Sequence, residues 1–171
     1  RTLIARLNER PQNRTNDGKI GPDGRFWFGT MDDKEQTTTG ALYSIDGDSN
    51  LKCHLQGIGI SNTFAWSPCQ NWMYFGDSMV QNIFRFPFQK GELGAPDIFV
   101  DLSNTSYYPD GSCIDSAGCL WNAQWDGSRI VRYSPKGEAL EIIKLPVSRP
   151  TSCCFGGPKG KHLFITTARE D

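Results

Sequence analysis

With 18 basic and 19 acidic residues among 171, the chain has a net charge of −1 and no electrostatic footprint for nucleic acid. No apolar run approaches the length of a transmembrane helix, so neither nucleic acid nor membrane is an expected partner. Aromatic residues make up 12%, which suits a sheet-packed core, and the six cysteines show no CxxC pair and no Cys/His zinc spacing.

In chain order, one plan of forty-odd residues recurs. Residues 1–12, with Leu7, read as the outer strand of a preceding unit. The first full unit, about 13–59, opens at Asn16. Its second strand centres on Trp27 in Phe26-Trp27-Phe28-Gly29, its third runs from Ala41 to Ile45, and its fourth ends at Leu55. The next unit, 60–106, repeats the plan with Asn62, Tyr74, the run Asn82 to Phe86, and Leu102. The third, 107–147, does so with Asp110, Trp121, the run Arg129 to Tyr133, and Leu145. Residues 148–171, with Thr151 and Phe164, form the inner half of one more unit.

These landmarks keep step. The polar opening residues lie 46, 48 and 41 apart, the second-strand anchors 47, 47 and 43, and the leucines 48, 47 and 43. Turn residues separate the strands at Pro22-Asp23-Gly24, Ser67-Pro68, Ser116-Ala117-Gly118 and Gly156-Gly157-Pro158. Glu35 to Thr39 and Gln89 to Gly94 read as polar loops, and no segment has a helical period. Four short antiparallel strands per repeat of this length describe a propeller blade. The predicted fold is therefore all-β: one partial β-propeller domain of four-stranded antiparallel blades, three of them full and two partial. Propellers close with roughly four to eight blades, so the remaining blades are expected from the rest of a longer chain.

Cys113 and Cys154 fall three residues after Asp110 and Thr151, where small buried side chains are wanted. They read as reduced packing residues of a cytoplasmic protein. His54, His162 and the five tryptophans read as structural, and Asp77 as a bonder of the turn beside it. Ser61, Ser78 and Ser112 lack a placed histidine, which disfavours a serine nucleophile.

Polar residues at one fixed point of a repeat gather in space when the repeats surround an axis. Asn16, Asn62 and Asp110 would then converge, with Thr151 at the fourth equivalent point. Their amide and carboxylate oxygens are hard ligands, suited to one divalent cation: Ca²⁺, Mg²⁺ or Mn²⁺, with Zn²⁺ also tolerated. The competing reading is local, because Asn and Asp at strand starts also cap the backbone through Asx-turns.

Several segments carry a family resemblance. They are Asn13-Arg14-Thr15-Asn16-Asp17-Gly18-Lys19, Gly24 to Met31, Ile60-Ser61-Asn62-Thr63-Phe64-Ala65-Trp66-Ser67, Tyr74 to Ser78, Pro109-Asp110-Gly111, Gly118 to Trp121, Arg129 to Tyr133, and Arg149 to Gly157. In this order and spacing they resemble the SMP-30/gluconolactonase/regucalcin family over nearly the whole chain. The resemblance implies a six-bladed propeller with a divalent cation in its channel. It assigns Asn62 and Asp110 as metal ligands, and Arg14 and Asn16 as the R-x-N pair of the substrate pocket. The family's third protein ligand, a Glu near its N-terminus, falls in a blade this chain does not contain. Where the family commonly has Asn-Gly, this chain has Asn62-Thr63.

The implied activity is metal-dependent hydrolysis of a small-molecule sugar-acid lactone, of the gluconolactonase type. A cation would polarise the carbonyl and acidify a water, and Asp110 would serve as general base. The alternative is a non-catalytic calcium-binding, regulatory propeller of the regucalcin kind. A pure protein-binding platform fits less well, because such a role has no use for a polar axis. Paraoxonase-like ester hydrolysis also stays open, since one axial cation can serve several esters.

Overall fold

The computed structural model describes residues 5–7 and 10–169, and every regular element within them is a β-strand. β1 (Asn13–Ile20), β2 (Phe26–Asp32), β3 (Gly40–Ile45) and β4 (Leu51–Ile58) form an antiparallel sheet in sequence order. β5 (Ser61–Trp66), β6 (Trp72–Asp77) and β7 (Asn82–Gln89) begin the second sheet. β7 then pairs twice, with β8 (Glu92–Leu93) at its far end and with β9 (Asp97–Asp101) along its body. The third sheet is β10 (Tyr108–Ile114), β11 (Leu120–Trp125), β12 (Arg129–Tyr133) and β13 (Ala139–Lys144). β14 (Pro150–Gly156) and β15 (His162–Thr167) make a final hairpin. Successive four-stranded meanders of this kind are propeller blades.

The core is not one mass but a set of layers between neighbouring sheets. Trp27 and Leu42 of the first sheet meet Phe64, Met73, Phe75, Phe86 and Phe88 of the second. Tyr74, Ile83, Phe99 and Val100 of the second meet Leu120, Val131 and Tyr133 of the third. Trp121, Ala123 and Ile130 of the third meet Cys153, Phe155 and Leu163 of the hairpin. Strands buried on both faces become nearly continuous apolar runs: β6 is buried at every position after Trp72.

Three expectations need correction. Gln89 to Gly94 is not simply a loop, because β7 runs on past Phe86 and turns back at Lys90-Gly91 to pair with β8. Both turn residues have positive φ, 52° and 78°, as a tight hairpin turn requires. Second, Cys154 is exposed, and its neighbour Cys153 is the buried thiol. Cys113 and Cys153 face each other across the seam between β10 and β14, with sulfurs 3.7 Å apart. Among the described residues no strand covers the face that carries Cys154. Third, residues 5–7 and 10–12 hold no strand, although Leu7 does pack on Phe28, Ala41 and Tyr43; residues 1–4 and 8–9 lie outside the described residues.

Candidate active site

The first strands of the sheets stand side by side, β1 against β5, β5 against β10, and β10 against β14. Each slips its register once: between Thr15 and Gly18, Asn62 and Ala65, Pro109 and Ser112, and Pro150 and Ser152. A bulge bends its strand and re-aims a side chain. The four slips enclose or adjoin Asn16, Asn62, Asp110 and Thr151, which is why a polar residue recurs there. Between the strands lies a cavity of about 750 Å³, lined by Arg14, Asn16, Asp17, Asn62, Ser78 and Asp110 among others.

Three of the four recurring residues meet in this cavity. Arg14 Nη1 donates to Asn16 Oδ1 (2.9 Å), and Asn16 Nδ2 donates to Asn62 Oδ1 (3.2 Å) and to the Ser61 carbonyl (2.9 Å). Asn62 Nδ2 donates to Ser78 Oγ (2.8 Å), whose own proton goes to the Pro109 carbonyl (2.5 Å). Asn62 Oδ1 is thereby turned toward Asp110 Oδ1, 3.0 Å away. Turning the amide over would place nitrogen on Asp110 and ask Ser78 to donate to Asn62. The Ser78 proton on the Pro109 carbonyl and the Asn16 amide N–H favour the first orientation, whereas Asp110 Oδ1 and the Ser61 carbonyl (3.2 Å) favour the turned one unless a proton or cation sits at Asp110. Thr151 takes a different part: it lines the cavity, but its hydroxyl pairs with Thr166 Oγ1 (2.8 Å).

Two oxygens 3.0 Å apart repel unless a proton or a cation lies between them. The electrostatics agree. Burial raises the Asp110 carboxyl to about 7, the Gly111 N–H (2.9 Å) opposes the rise, and the nearby Asp17 charge adds to it. Asp17 is itself raised by burial, against the pull of the Gly18 N–H (2.7 Å) and the Lys19 charge. Two partly buried carboxylates facing one cavity make it a place that favours positive charge. The Asn62 amide oxygen and the Asp110 carboxylate are hard donors of the type a divalent cation takes, so these residues fit one. No group of three His, Cys, Asp or Glu side chains gathers among the described residues, so a cation held here would take amide oxygen as well as carboxylate.

The other residues named from the sequence sit apart. Asp77 accepts from the backbone N–H groups of Gly59, Ile60 and Met79, as a turn-bonding role requires. His54 stacks on Trp27 with centroids 4.2 Å apart and contacts Ser44 Oγ, away from the cavity. Burial lowers its pKa to about 4 and keeps the ring neutral. Trp125 lines the cavity beneath the Arg149 guanidinium. Asp17 and Ser78 were not picked out by spacing. Asp17 could have been, as a carboxylate beside Asn16 in the same bulge.

The sequence signature of the SMP-30/Gluconolactonase/LRE-like region matches residues 1–169. The chain belongs to that family. It is 38% identical over 172 residues to a regucalcin of Danio rerio, covering 98% of this chain and 58% of the relative. It is 37% identical to a 6-deoxy-6-sulfogluconolactonase of Pseudomonas putida, covering 99% and 60% respectively. Among solved structures, a calcium-binding protein, regucalcin, from Agrobacterium tumefaciens superposes with a TM-score of 0.93 at 33% identity. That match covers 99% of this chain and 58% of the other. The chain thus spans about three-fifths of the length of the relatives it matches.

Proposed function

We propose that the protein hydrolyses small sugar-acid lactones with one divalent cation, Ca²⁺, Mn²⁺, Mg²⁺ or Zn²⁺, held between Asn62 and Asp110. The observation that carries the reading is the meeting of the Asn62 side-chain amide and the Asp110 carboxylate at 3.0 Å inside a cavity large enough for a sugar acid. A hard cation bound there supplies a Lewis acid for the lactone carbonyl and acidifies the attacking water. Asp110 takes the proton of that water as general base. The water oxygen bonds to the carbonyl carbon, the ring C–O bond breaks, and the proton passes to the leaving ring oxygen, giving the open hydroxy acid. Arg14 presents donors to the sugar oxygens, oriented by Asn16 Oδ1 (2.9 Å) and by Asp33 (2.8 Å). The reading extends to this chain what the sulfogluconolactonase relative's name states of that protein. Free thiols throughout the described residues suit a reducing, cytoplasmic setting.

The second reading, a calcium-binding propeller without turnover, draws on the solved neighbour described as calcium-binding. One assay separates the two. The full-length protein is stripped with chelator and offered D-glucono-δ-lactone and related lactones, with Ca²⁺, Mn²⁺ or Zn²⁺ then returned. Hydrolysis that disappears with chelator and returns with metal supports the lactonase; cation binding with no turnover on any lactone supports the second reading.

A further inference from the structure

At one register step the first two strands pair Gly18 with Phe28 in the first sheet, and Cys153 with Ile165 in the hairpin. The third sheet pairs Ser112 with Asn122 at that step. Both are buried, at 4% and 0% exposure, where an amide and a hydroxyl are unfavourable unless hydrogen-bonded. Their partners come partly from the neighbouring sheet. The Thr63 hydroxyl donates to the Asp110 carbonyl (2.5 Å) and lies 3.2 Å from Ser112 Oγ. Asn122 Nδ2 reaches the same carbonyl (3.0 Å), Ser112 Oγ (2.9 Å) and Thr63 Oγ1 (3.3 Å). Asn122 Oδ1 has no partner, so the amide is kept at this site despite one orphaned acceptor. Apolar packing alone would be better served by another Phe or Ile.

Thr63 is equally unusual. It is fully buried, and its φ of +55° is a left-handed value that β-branched residues rarely adopt. Such a conformation persists where the surroundings over-determine it, and it concentrates at functional sites. The room for it is made by Gly76, where a Cβ would come within 3.0 Å of both Thr63 Cβ and Oγ1. Through its peptide bond Thr63 is fixed to Asn62, and through its hydroxyl it is fixed to Asp110. One side chain therefore ties together the backbones that carry the two side chains meeting in the cavity.

We infer that Thr63, braced by Ser112 and Asn122, is a positioning residue that holds Asp110 at its working distance from Asn62. The inference rests on the reading of those two residues as a cation site. Its test compares Thr63→Ser, Thr63→Val and Thr63→Gly in the full-length protein. Mn²⁺ alone is titrated calorimetrically, and melting temperatures are recorded in parallel. Serine, which keeps the hydroxyl, retains Mn²⁺ affinity within about twofold. Valine, which keeps the shape, and glycine, which suits the backbone, both lose about tenfold or more, as outer-shell substitutions do. A residue that only stabilises the fold would lower the melting temperature of the valine variant and leave its Mn²⁺ affinity at the serine value, and that result overturns the inference. Should the unaltered protein bind no Mn²⁺, the cation reading fails by itself, and hydrogen exchange over residues 108–114 without metal decides instead. Faster exchange in the valine variant than in the serine variant supports the positioning role; equal exchange removes it.

Discussion

The seam between the first and second sheets and the seam between the second and third use the same strands in the same order, yet they are held differently. At the first, Trp27, Leu42, Phe64 and Phe75 form one apolar layer that reaches inward to the first strands. At the second, an apolar layer of Tyr74, Ile83, Leu120 and Val131 fills the outer part, and Thr63, Ser112 and Asn122 take over near β10. Apolar packing has no preferred direction and tolerates small shifts. Hydrogen bonds fix angle as well as distance. Asn16 also bonds across the first seam, to Asn62 and the Ser61 carbonyl, but at the cavity and not inside the layer; the second seam carries directional contacts within the layer itself, on the Asp110 carbonyl.

That contrast can be broken by substitution on either side. Asp110→Asn in the full-length protein is expected to lower kcat/KM for lactone hydrolysis about 10³-fold while the melting transition stays cooperative, within the span of general-base effects. Retained turnover would remove Asp110 as base. Phe75→Ala, in the apolar layer, is expected to cost about 3–4 kcal/mol in urea unfolding and to leave the cation affinity of the folded protein unchanged. A large fall in affinity would mean the two seams are not separable. Arg14→Ala is expected to reduce kcat/KM roughly tenfold, mainly through KM, since it removes donors to the substrate and not the base. Steady-state kinetics alone decide this.

The remaining expected effect is in the pH dependence of stability without metal. In the folded chain Asp110 keeps its proton until about 7, against an ordinary 3.8. Between those values this carboxyl holds its proton in the folded state and not in the unfolded one, so its contribution to stability falls as pH rises from about 4 to about 7. Asp17, raised by burial, works in the same direction. His54, lowered by burial from 6.5 to about 4, works in the opposite direction over most of that window, so the test is the difference between chelated wild type and Asp110→Asn: the variant's melting temperature should gain relative to wild type as pH rises from about 4 to about 7. A difference that does not change with pH would contradict the burial of this carboxyl.

The repeat was legible because aromatic anchors such as Trp27, Tyr74 and Trp121 recur at a spacing that turn residues punctuate. Asn16, Asn62 and Asp110 were legible as polar exceptions at one point of it, and the bulges explain why that point aims inward. Other features could not be read. Thr63 argues locally for an extended strand, and only the packed structure places it at positive φ. The choice between Cys153 and Cys154 depends on which face a neighbouring strand covers, a tertiary fact with no local signature. Asn122 did leave a trace, since it interrupts the series Phe28, Phe75 and Ile165, but its meaning needed Thr63 beside it.

The most direct measurement is an anomalous difference map from crystals of the full-length protein grown with Mn²⁺. The account predicts one peak within about 2.1–2.5 Å of both Asn62 Oδ1 and an Asp110 carboxylate oxygen, the range for hard oxygen ligands. A peak elsewhere, or an ordered cavity in which Asn62 and Asp110 bind no cation, would contradict it.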